Sequence, residues 1–267
     1  MKLIERGSGR PRVAVVGGIH GDEPAGERIV EELIETLEVD DGTVQLIVAN
    51  EPALAAGQRY LDADLNRQFP GNEHSEDREV ALAARLHAVL EGVDATLALH
   101  TSQSAPPPFA IFSELSESVR RSVTGLPVEY VVDAGGLRST TLDSVIPNTV
   151  SLEAGRQQSE EAAEFGLEAA KQFLRVHGVL QDEPMTFSET QVVRAREEVP
   201  KGSGKPHVYY RNFEEIPVGE VFARDDELTH RVEQEGTVPI LASEYGYDDI
   251  FGLYGSFDGT LSPPDDR

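Results

Sequence analysis

The sequence contains no cysteine among its 267 residues. This absence excludes disulfide bonds, zinc ribbons, iron–sulfur clusters and thiol catalysis, so any metal must be bound by His, Asp or Glu. No run of eighteen apolar residues occurs, which excludes a membrane-spanning helix. The segment from Met1 to Pro11 is basic and polar and lacks the apolar core of a secretory signal. We therefore expect a cytoplasmic protein that has no membrane partner.

Lysine is scarce, and acids dominate the charge. The chain has four lysines, and its 48 acids against 23 bases give a formal net charge of −25. Such a charge repels phosphate backbones and argues against nucleic-acid binding. It is also typical of disordered chains, but apolar patterns of strands and helices recur here and exclude disorder for most of the sequence. Abundant acid with little lysine indicates a halophilic protein whose self-repulsion is screened by salt.

The first two thirds of the chain alternate between strand-like and helix-like segments. Apolar runs predict strands at 12–18, 43–49, 95–99, 109–112, 128–132 and 148–152. Apolar residues at helical spacing predict three helices: one that begins near Pro24, one that is capped by Ser75 and one over residues 160–176. This alternation predicts an α/β fold, in which a mixed, mostly parallel sheet is flanked by helices.

Helical periodicity fades after Gln181, where short strand-like segments are separated by glycine and proline. We therefore expect an α/β domain over residues 1–181 and a small β-rich C-terminal domain over residues 182–267. The tail from Ser256 to Arg267 contains few apolar residues, and we expect it to fray.

Two strand ends carry potential metal ligands. The first strand leads into the loop Gly18-Ile19-His20-Gly21-Asp22-Glu23. Ligands of open α/β sheets bind beyond the carboxyl ends of strands, where His20 and Glu23 could chelate one divalent cation. The alternative is that Glu23 only stabilises a helix N-terminus. His100 ends the strand at 95–99 and would complete a His/Glu/His set with one position open for water.

The loop from Arg59 to Gly71 carries donors suited to an anion. Arg67 and Asn66 offer donors that can hold a carboxylate, and Arg59 is a second guanidinium nearby. In a protein with few bases, this pair suggests an anionic substrate. Surface arginines that bridge to the abundant acids are the alternative. Residues 62–73 also have carboxylate spacing of a calcium-binding loop, but Arg67 occupies the position that needs glycine.

Glu153 lies at the end of another apolar strand. A buried, unpaired carboxylate is costly, so this residue should face a site, a cation or solvent. Beside a metal-bound water it would act as a general base and then as a proton donor. The alternative is an ordinary ion pair with a residue such as Arg156.

These segments, in this order, resemble the aspartoacylase/succinylglutamate desuccinylase family of zinc amidohydrolases, which is related in fold to the zinc carboxypeptidases. The matching motifs are Gly18–Glu23, Asp64–Arg67, His100 and Glu153–Gly155. The resemblance implies one zinc ion per chain on His20, Glu23 and His100. It also implies that Glu153 activates the zinc-bound water and then protonates the leaving amine.

The resemblance further implies how a small anionic N-acyl amino acid would be held. Arg59 would polarise the scissile carbonyl, and Asn66 with Arg67 would bind the carboxylate of the amino-acid half. Tyr247 would reach the substrate, with Tyr245 as the alternative. The sequence departs from the family at Asp143, which stands about where aspartoacylases carry a further substrate-binding arginine. This departure leaves the charge of the substrate's side chain open.

Two other functions remain open from the sequence. A carboxypeptidase-type metallopeptidase would use the same metal and the same general base on a peptide. A non-catalytic metal- or carboxylate-binding protein could use the same scaffold, although metal binding alone does not require Glu153. The sequence leaves open the acyl group and assembly into a homo-oligomer.

Overall fold

The apolar, β-branched runs of the sequence form the centre of a large sheet in a computed structural model, which describes residues 1–104 and 107–265. The strands in this part of the chain are β1 (Lys2–Gly7), β2 (Arg12–Gly17), β3 (Thr43–Val48), β4 (Ala95–Ser102), β5 (Phe109–Phe112), β6 (Tyr130–Asp133), β7 (Thr149–Arg156), β8 (Thr190–Pro200), β9 (His207–Val208), β10 (Val221–Arg224), β11 (Thr229–Arg231), β12 (Val238–Ile240) and β13 (Ile250–Leu261).

The helices alternate with the strands in the first two thirds of the chain. They are α1 (Pro24–Thr36), α2 (Glu51–Ala56), α3 (Arg78–Leu90), α4 (Glu117–Gly125), α5 (Leu142–Val145) and α6 (Glu160–Val176), with a short 3-10 turn at Leu65–Arg67. The predicted helix at 160–176 is confirmed. The helix expected to be capped by Ser75 begins at Arg78 instead, with Asp77 at its N-cap position.

Ten strands form one mixed sheet in the order β1-β3-β2-β4-β7-β5-β6-β8-β13-β12. The strands β3, β2, β4 and β7 run parallel to one another, and so do β5, β6 and β8. The pairings of β1 with β3, β5 with β7 and β13 with β8 and β12 are antiparallel. The expected mixed, mostly parallel sheet is confirmed.

Helices cover both faces of this sheet, because its central strands are apolar on both sides. In β2, Val13 and Val15 pack in a core with α1, α4 and α6. Ala14 and Val16, which point to the other face, pack with α3 and α5. Among the described residues, no helix combines the length and the apolar character needed to cross a membrane.

The C-terminal third is β-rich, but much of it belongs to the main sheet. Strands β9, β10 and β11 form a separate antiparallel sheet, whereas β8, β12 and β13 extend the ten-stranded sheet. A third core cluster joins Phe109 and Val132, from before residue 181, to Val193, Ile240 and Leu253. The division into two domains at residue 181 stays a prediction.

The expected fraying of the tail is wrong for its first half. Ser256 to Leu261 belong to β13, which pairs with β8 across a long antiparallel register. Gly255 allows this pairing, because a Cβ at this position would lie 2.8 Å from the carbonyl oxygen of Arg194. Residues 262–265 form no regular structure, and the last two residues lie outside the described part of the chain.

A chain that ends at residue 181 tests the domain division. We expect it not to fold, because it would leave the edge of β6 unpaired and expose the core face of Phe109 and Val132. Circular dichroism melting and size-exclusion chromatography would measure this. A chain that ends at residue 261 is the control and should melt like the full chain. Cooperative melting of the 1–181 chain as a monomer would instead establish an independent domain.

Candidate active site

The loop between β2 and α1 places two predicted ligands at the carboxyl edge of the sheet. Gly18 adopts a φ of +65°, which turns the chain sharply after β2. Glu23 occupies the N-cap position of α1, but its side chain makes no capping hydrogen bond. The carboxylate instead faces His20 and His100. The alternative in which Glu23 only stabilises the helix is therefore not what the structure shows.

His20, Glu23 and His100 lie together and are almost fully buried. Nδ1 of His20 lies 2.8 Å from Oε1 of Glu23, and Nδ1 of His100 lies 3.2 Å from Oε2. The backbone N–H of Thr101 also donates to Oε2 of Glu23, over 3.0 Å. One donor atom from each of the three side chains lies within 4.8 Å of the others. These three residues could hold one metal ion.

The orientation of the imidazoles fits a metal centre. Nε2 of His20 lies 3.1 Å from Oδ1 of Asp64, and Nε2 of the buried His100 has no partner among the described residues. A carboxylate on one ring nitrogen fixes the tautomer in which the other nitrogen has a free lone pair. Two imidazoles and a carboxylate, with space for a further ligand, are a donor set that suits zinc.

Asp64 links the histidine to Arg59, and sequence reasoning assigned it no role of its own. Its Oδ2 accepts a hydrogen bond from Nε of Arg59 over 3.1 Å and forms an ion pair with Nη2 of Arg59 at 3.0 Å. Nη1 of Arg59 also donates to Glu23 over 3.4 Å. Burial alone would raise the pKa of Asp64, but His20 and Arg59 hold it well below its usual range. The guanidinium of Arg59 is thereby fixed beside the predicted metal ligands.

The turn at Leu65–Arg67 presents the two residues predicted to bind a carboxylate. Asp64 accepts a hydrogen bond from the backbone N–H of Asn66, and Oδ1 of Asn66 accepts one from the N–H of Leu142. Nη1 of Arg67 donates to the carbonyl oxygen of Asn66. Among the described residues, no carboxylate lies within ion-pair distance of Arg67. Its guanidinium lines the cleft and is available to an anion.

Glu79 anchors the loop that carries these residues, and in the sequence it is visible only as an acid in a predicted helix. Its carboxylate is fully buried and accepts hydrogen bonds from the backbone N–H groups of Leu61, Asp62 and Ala63. Nδ2 of Asn50 donates a fourth hydrogen bond. Burial alone would raise the pKa of Glu79, but these donors outweigh it and lower the pKa.

Glu153 stands beside His100, because the two residues are register partners in the parallel strands β7 and β4. Its side chain is buried, and its Oε2 has no hydrogen-bond partner among the described residues. Burial, the largest effect, raises the pKa of Glu153 to about 7, although His100 opposes the rise. A carboxylate of this pKa suits proton transfer near neutral pH.

Tyr247 lies over the cleft from the C-terminal part of the chain. Its ring is 5.5 Å from the guanidinium carbon of Arg59 and 5.6 Å from that of Arg138. Burial and the negative charge of Glu153 raise the pKa of its hydroxyl. Tyr245, the alternative, is 62% exposed and does not line this cleft.

The predicted site residues therefore share one cleft with about 840 Å³ of empty space, part of which is open to solvent. It is lined by all eight of them, together with polar and apolar side chains that the sequence did not single out. The predicted residues are His20, Glu23, Arg59, Asn66, Arg67, His100, Glu153 and Tyr247. A metal-binding group, a carboxylate with an unpaired oxygen and two guanidinium groups are thus placed around a single small-molecule cavity.

Comparison with known proteins agrees with this geometry. A family model described as the succinylglutamate desuccinylase/aspartoacylase catalytic domain matches residues 9–180. An N-acyl-aromatic-L-amino acid amidohydrolase (carboxylate-forming) of Rattus norvegicus is 32% identical over 178 residues, 57% of this chain and 56% of that protein. A succinylglutamate desuccinylase of Burkholderia cenocepacia is 40% identical over 88 residues, 30% of this chain and 24% of that protein. The matches thus span about half or less of these curated relatives.

Solved structures share the fold over nearly the whole chain. A succinylglutamate desuccinylase/aspartoacylase from Rhodobacter sphaeroides superposes with a TM-score of 0.76 at 20% identity, covering 96% of this chain and 88% of that one. Murine aminoacylase 3 gives a TM-score of 0.73 at 22% identity, covering 96% and 99%. At these identities, the likeness concerns the fold.

Asp64→Asn tests the support that this carboxylate gives to His20. We expect metal affinity to fall about 10- to 100-fold, because the imidazole would lose the partner that fixes its tautomer. Competition with a chromophoric chelator would measure zinc affinity directly. Asp62→Asn is the matched control, because Asp62 bonds to Arg78 and touches no predicted ligand. Equal zinc affinity in Asp64→Asn and wild type would show that Asp64 does not support the site.

Glu79→Gln tests the anchor of the loop. A glutamine would direct an amide N–H₂ at buried backbone donors, so we expect the free energy of unfolding to fall by about 2–3 kcal/mol. Urea denaturation would measure the change. Glu76→Gln, at an exposed position just before α3, should change stability by less than about 0.5 kcal/mol. A Glu79→Gln protein as stable as this control would contradict the anchoring role.

Proposed function

The chain belongs to the succinylglutamate desuccinylase/aspartoacylase family, and from this membership we propose that it is a zinc-dependent hydrolase of N-acyl amino acids. One observation carries the proposal. The group His20, Glu23 and His100 shares its cleft with Glu153 and with the guanidinium of Arg67, which has no ion-pair partner in the described part of the chain. A metal-binding protein without catalysis does not need a buried carboxylate with an unbonded oxygen at this place. The names of the relatives, an amidohydrolase of N-acyl amino acids and a desuccinylase, support the same reaction class.

The cleft provides a way to hold the substrate. Arg67 and Asn66 would bind the carboxylate of the amino-acid half, because the guanidinium of Arg67 has no ion-pair partner in the described chain. Tyr247, packed over Arg59, would close the cleft from the opposite side. The amide bond would then lie between Arg59 and Glu153, within the cavity that these residues line.

His20, Glu23 and His100 would hold the zinc ion. When bound, zinc polarises a carbonyl group and makes water more acidic. Glu153 would accept a proton from the attacking water through its partnerless Oε2 as the new C–O bond forms. Arg59 would stabilise the negative charge that develops on the carbonyl oxygen. Glu153 would then pass the proton to the amide nitrogen as the C–N bond breaks, which releases a carboxylate and an amine.

We also propose that the protein works in the cytoplasm of a cell that accumulates salt. The support is compositional: the net charge of −25 and the four lysines. Screening by salt would offset the repulsion among the acids.

Glu153→Gln tests the reaction. We expect turnover of N-acyl amino acids to fall about 10²- to 10⁴-fold, because an amide cannot accept and return the proton. Zinc content, measured by elemental analysis, should stay at one ion per chain, since Glu153 is not among the predicted ligands. Glu161→Gln, an exposed position on α6, is the matched control.

The assay should use a panel of N-acetyl and N-succinyl amino acids and a peptide with a free C-terminus, with amine release as the readout. Wild-type turnover of an acyl amino acid that a chelator abolishes would support the proposal. Hydrolysis of the peptide alone would identify a carboxypeptidase instead. Near wild-type turnover by Glu153→Gln would rule out the proton-transfer role.

A further inference from the structure

We propose that Asp143 makes this site select N-acyl amino acids whose side chain carries a positive charge, such as an amino group on a short alkyl chain. The inference rests on the proposed function and concerns the substrate class. Asp143 lies in α5 and lines the same cleft as Glu153 and Arg67. It is half-buried, and its carboxylate faces the hydroxyl groups of two serines.

The carboxylate of Asp143 is held in place by neutral groups. Ser113 Oγ donates to Oδ2 over 2.7 Å, and Ser151 Oγ donates to Oδ1 over 3.2 Å. Two hydroxyl donors orient the carboxylate but do not neutralise it. The site therefore presents a fixed negative charge to the cavity.

No cation of the described chain lies within ion-pair distance of Asp143. Three arginines share the cleft, and none of them pairs with Asp143: Arg67 has no carboxylate within ion-pair distance among the described residues and donates to the carbonyl oxygen of Asn66. Arg59 pairs with Asp64 and Glu23, while Nε of Arg138 donates to Glu198 over 2.7 Å. A half-buried carboxylate without a counter-charge is costly, and a cationic ligand would relieve this cost. An anionic side chain would instead meet like-charge repulsion at this position.

The position of Asp143 matches the side chain of the substrate rather than its acyl group. Oδ1 of Asn66 accepts a hydrogen bond from the N–H of Leu142, the residue before Asp143. The turn proposed to bind the substrate's carboxylate therefore adjoins α5. Since the side chain and the carboxylate leave the same α-carbon, a charge beside the carboxylate site meets the side chain.

The distance from the reacting bond also fits a short side chain. Ser151 precedes Glu153 by two residues on β7, so both side chains point to the same face of the sheet. Two residues of a strand span roughly 7 Å, which is the reach of a few methylene groups. Ile111, the register partner of Ser151 on β5, and Leu137 also line the cleft and offer apolar surface to such methylenes.

A structural role for Asp143 is the competing explanation, because its two hydrogen bonds also tie α5 to β7 and to the residue after β5. Asp143→Asn separates the two roles. Asparagine has nearly the same shape, and its amide oxygen can still accept a serine hydrogen bond, but it carries no charge. Thermal melting would verify that the variant is folded. Asp248→Asn, an exposed acid near the mouth of the cleft, is the matched control for loss of one negative charge.

The experiment compares substrates of equal size and different charge on the zinc-loaded protein. The first pair is Nα-acetylornithine and N-acetylnorleucine, and the second is Nα-acetyldiaminobutyrate and N-acetylnorvaline. N-acetylglutamate is the substrate with a negatively charged side chain. We expect wild type to favour the cationic member of each pair about 10- to 100-fold in kcat/KM. Asp143→Asn should lose most of this preference, because its kcat/KM for the cationic member should fall far more than its kcat/KM for the neutral member. Asp248→Asn should keep the preference.

The outcomes distinguish this inference from the proposed function. Preference of the wild type for neutral or anionic acyl amino acids would overturn the inference and still support the proposed function. A cationic preference that persists unchanged in folded Asp143→Asn would also overturn it. If Asp143→Asn does not fold, the comparison of substrates on wild type alone decides charge selectivity. Competitive inhibition of wild type by the products, free ornithine compared with norleucine, then repeats that test. Absence of turnover of every acyl amino acid would overturn the proposed function, and this inference with it.

Discussion

The parallel pairing of β2, β4 and β7 is the constraint on which the site depends. Parallel neighbours end at the same edge of a sheet, so residues far apart in sequence meet beyond their carboxyl ends. His20 follows β2, His100 lies within β4, and Glu153 is its register partner on β7. The apolar faces of these strands are buried beneath helices on both sides, which fixes the register. Packing of the core therefore sets the geometry of the polar edge.

Burying several charges at this edge is tolerable only because they compensate one another. Glu23 lies against two imidazoles and Arg59, and Asp64 bridges His20 to the same arginine. In a network of this kind, the hydrogen bonds and ion pairs of each member depend on the others being in place. The network therefore preorganises the side chains that would act on a substrate. Unlike Glu23 and Asp64, Glu153 has one oxygen without a partner in the described part of the chain. That difference suits a residue that exchanges a proton.

Sequence patterns predicted the parts of the fold that depend on local apolar runs. The strands β2 to β7 and their polar ends, including His100 and Glu153, could be found because buried parallel strands are continuously apolar, whereas the half-exposed β1 was not predicted. Sequence patterns did not predict the strand β13, because Gly252, Gly255 and Gly259 lower strand propensity, while close approach to β12 and β8 requires small residues at Gly252 and Gly255. Glu79 and Asp64 could not be recognised either. Their importance arises from long-range hydrogen bonds to a loop and a histidine, which leave no periodic signal.

The reaction machinery and the proposed charge selectivity occupy different parts of the scaffold. The predicted metal ligands and Arg59 belong to the ends of β2 and β4 and to the loop before the 3-10 turn, whereas Asp143 belongs to α5. The carboxylate of Asp143 contacts Ser113 and Ser151 and none of the predicted metal ligands. Since the two sets are joined mainly through the backbone at Leu142 and along β7, the charge at residue 143 can change without displacing the residues that would perform hydrolysis. One scaffold can in this way keep one hydrolytic chemistry while a single short helix determines which amino acid it accepts.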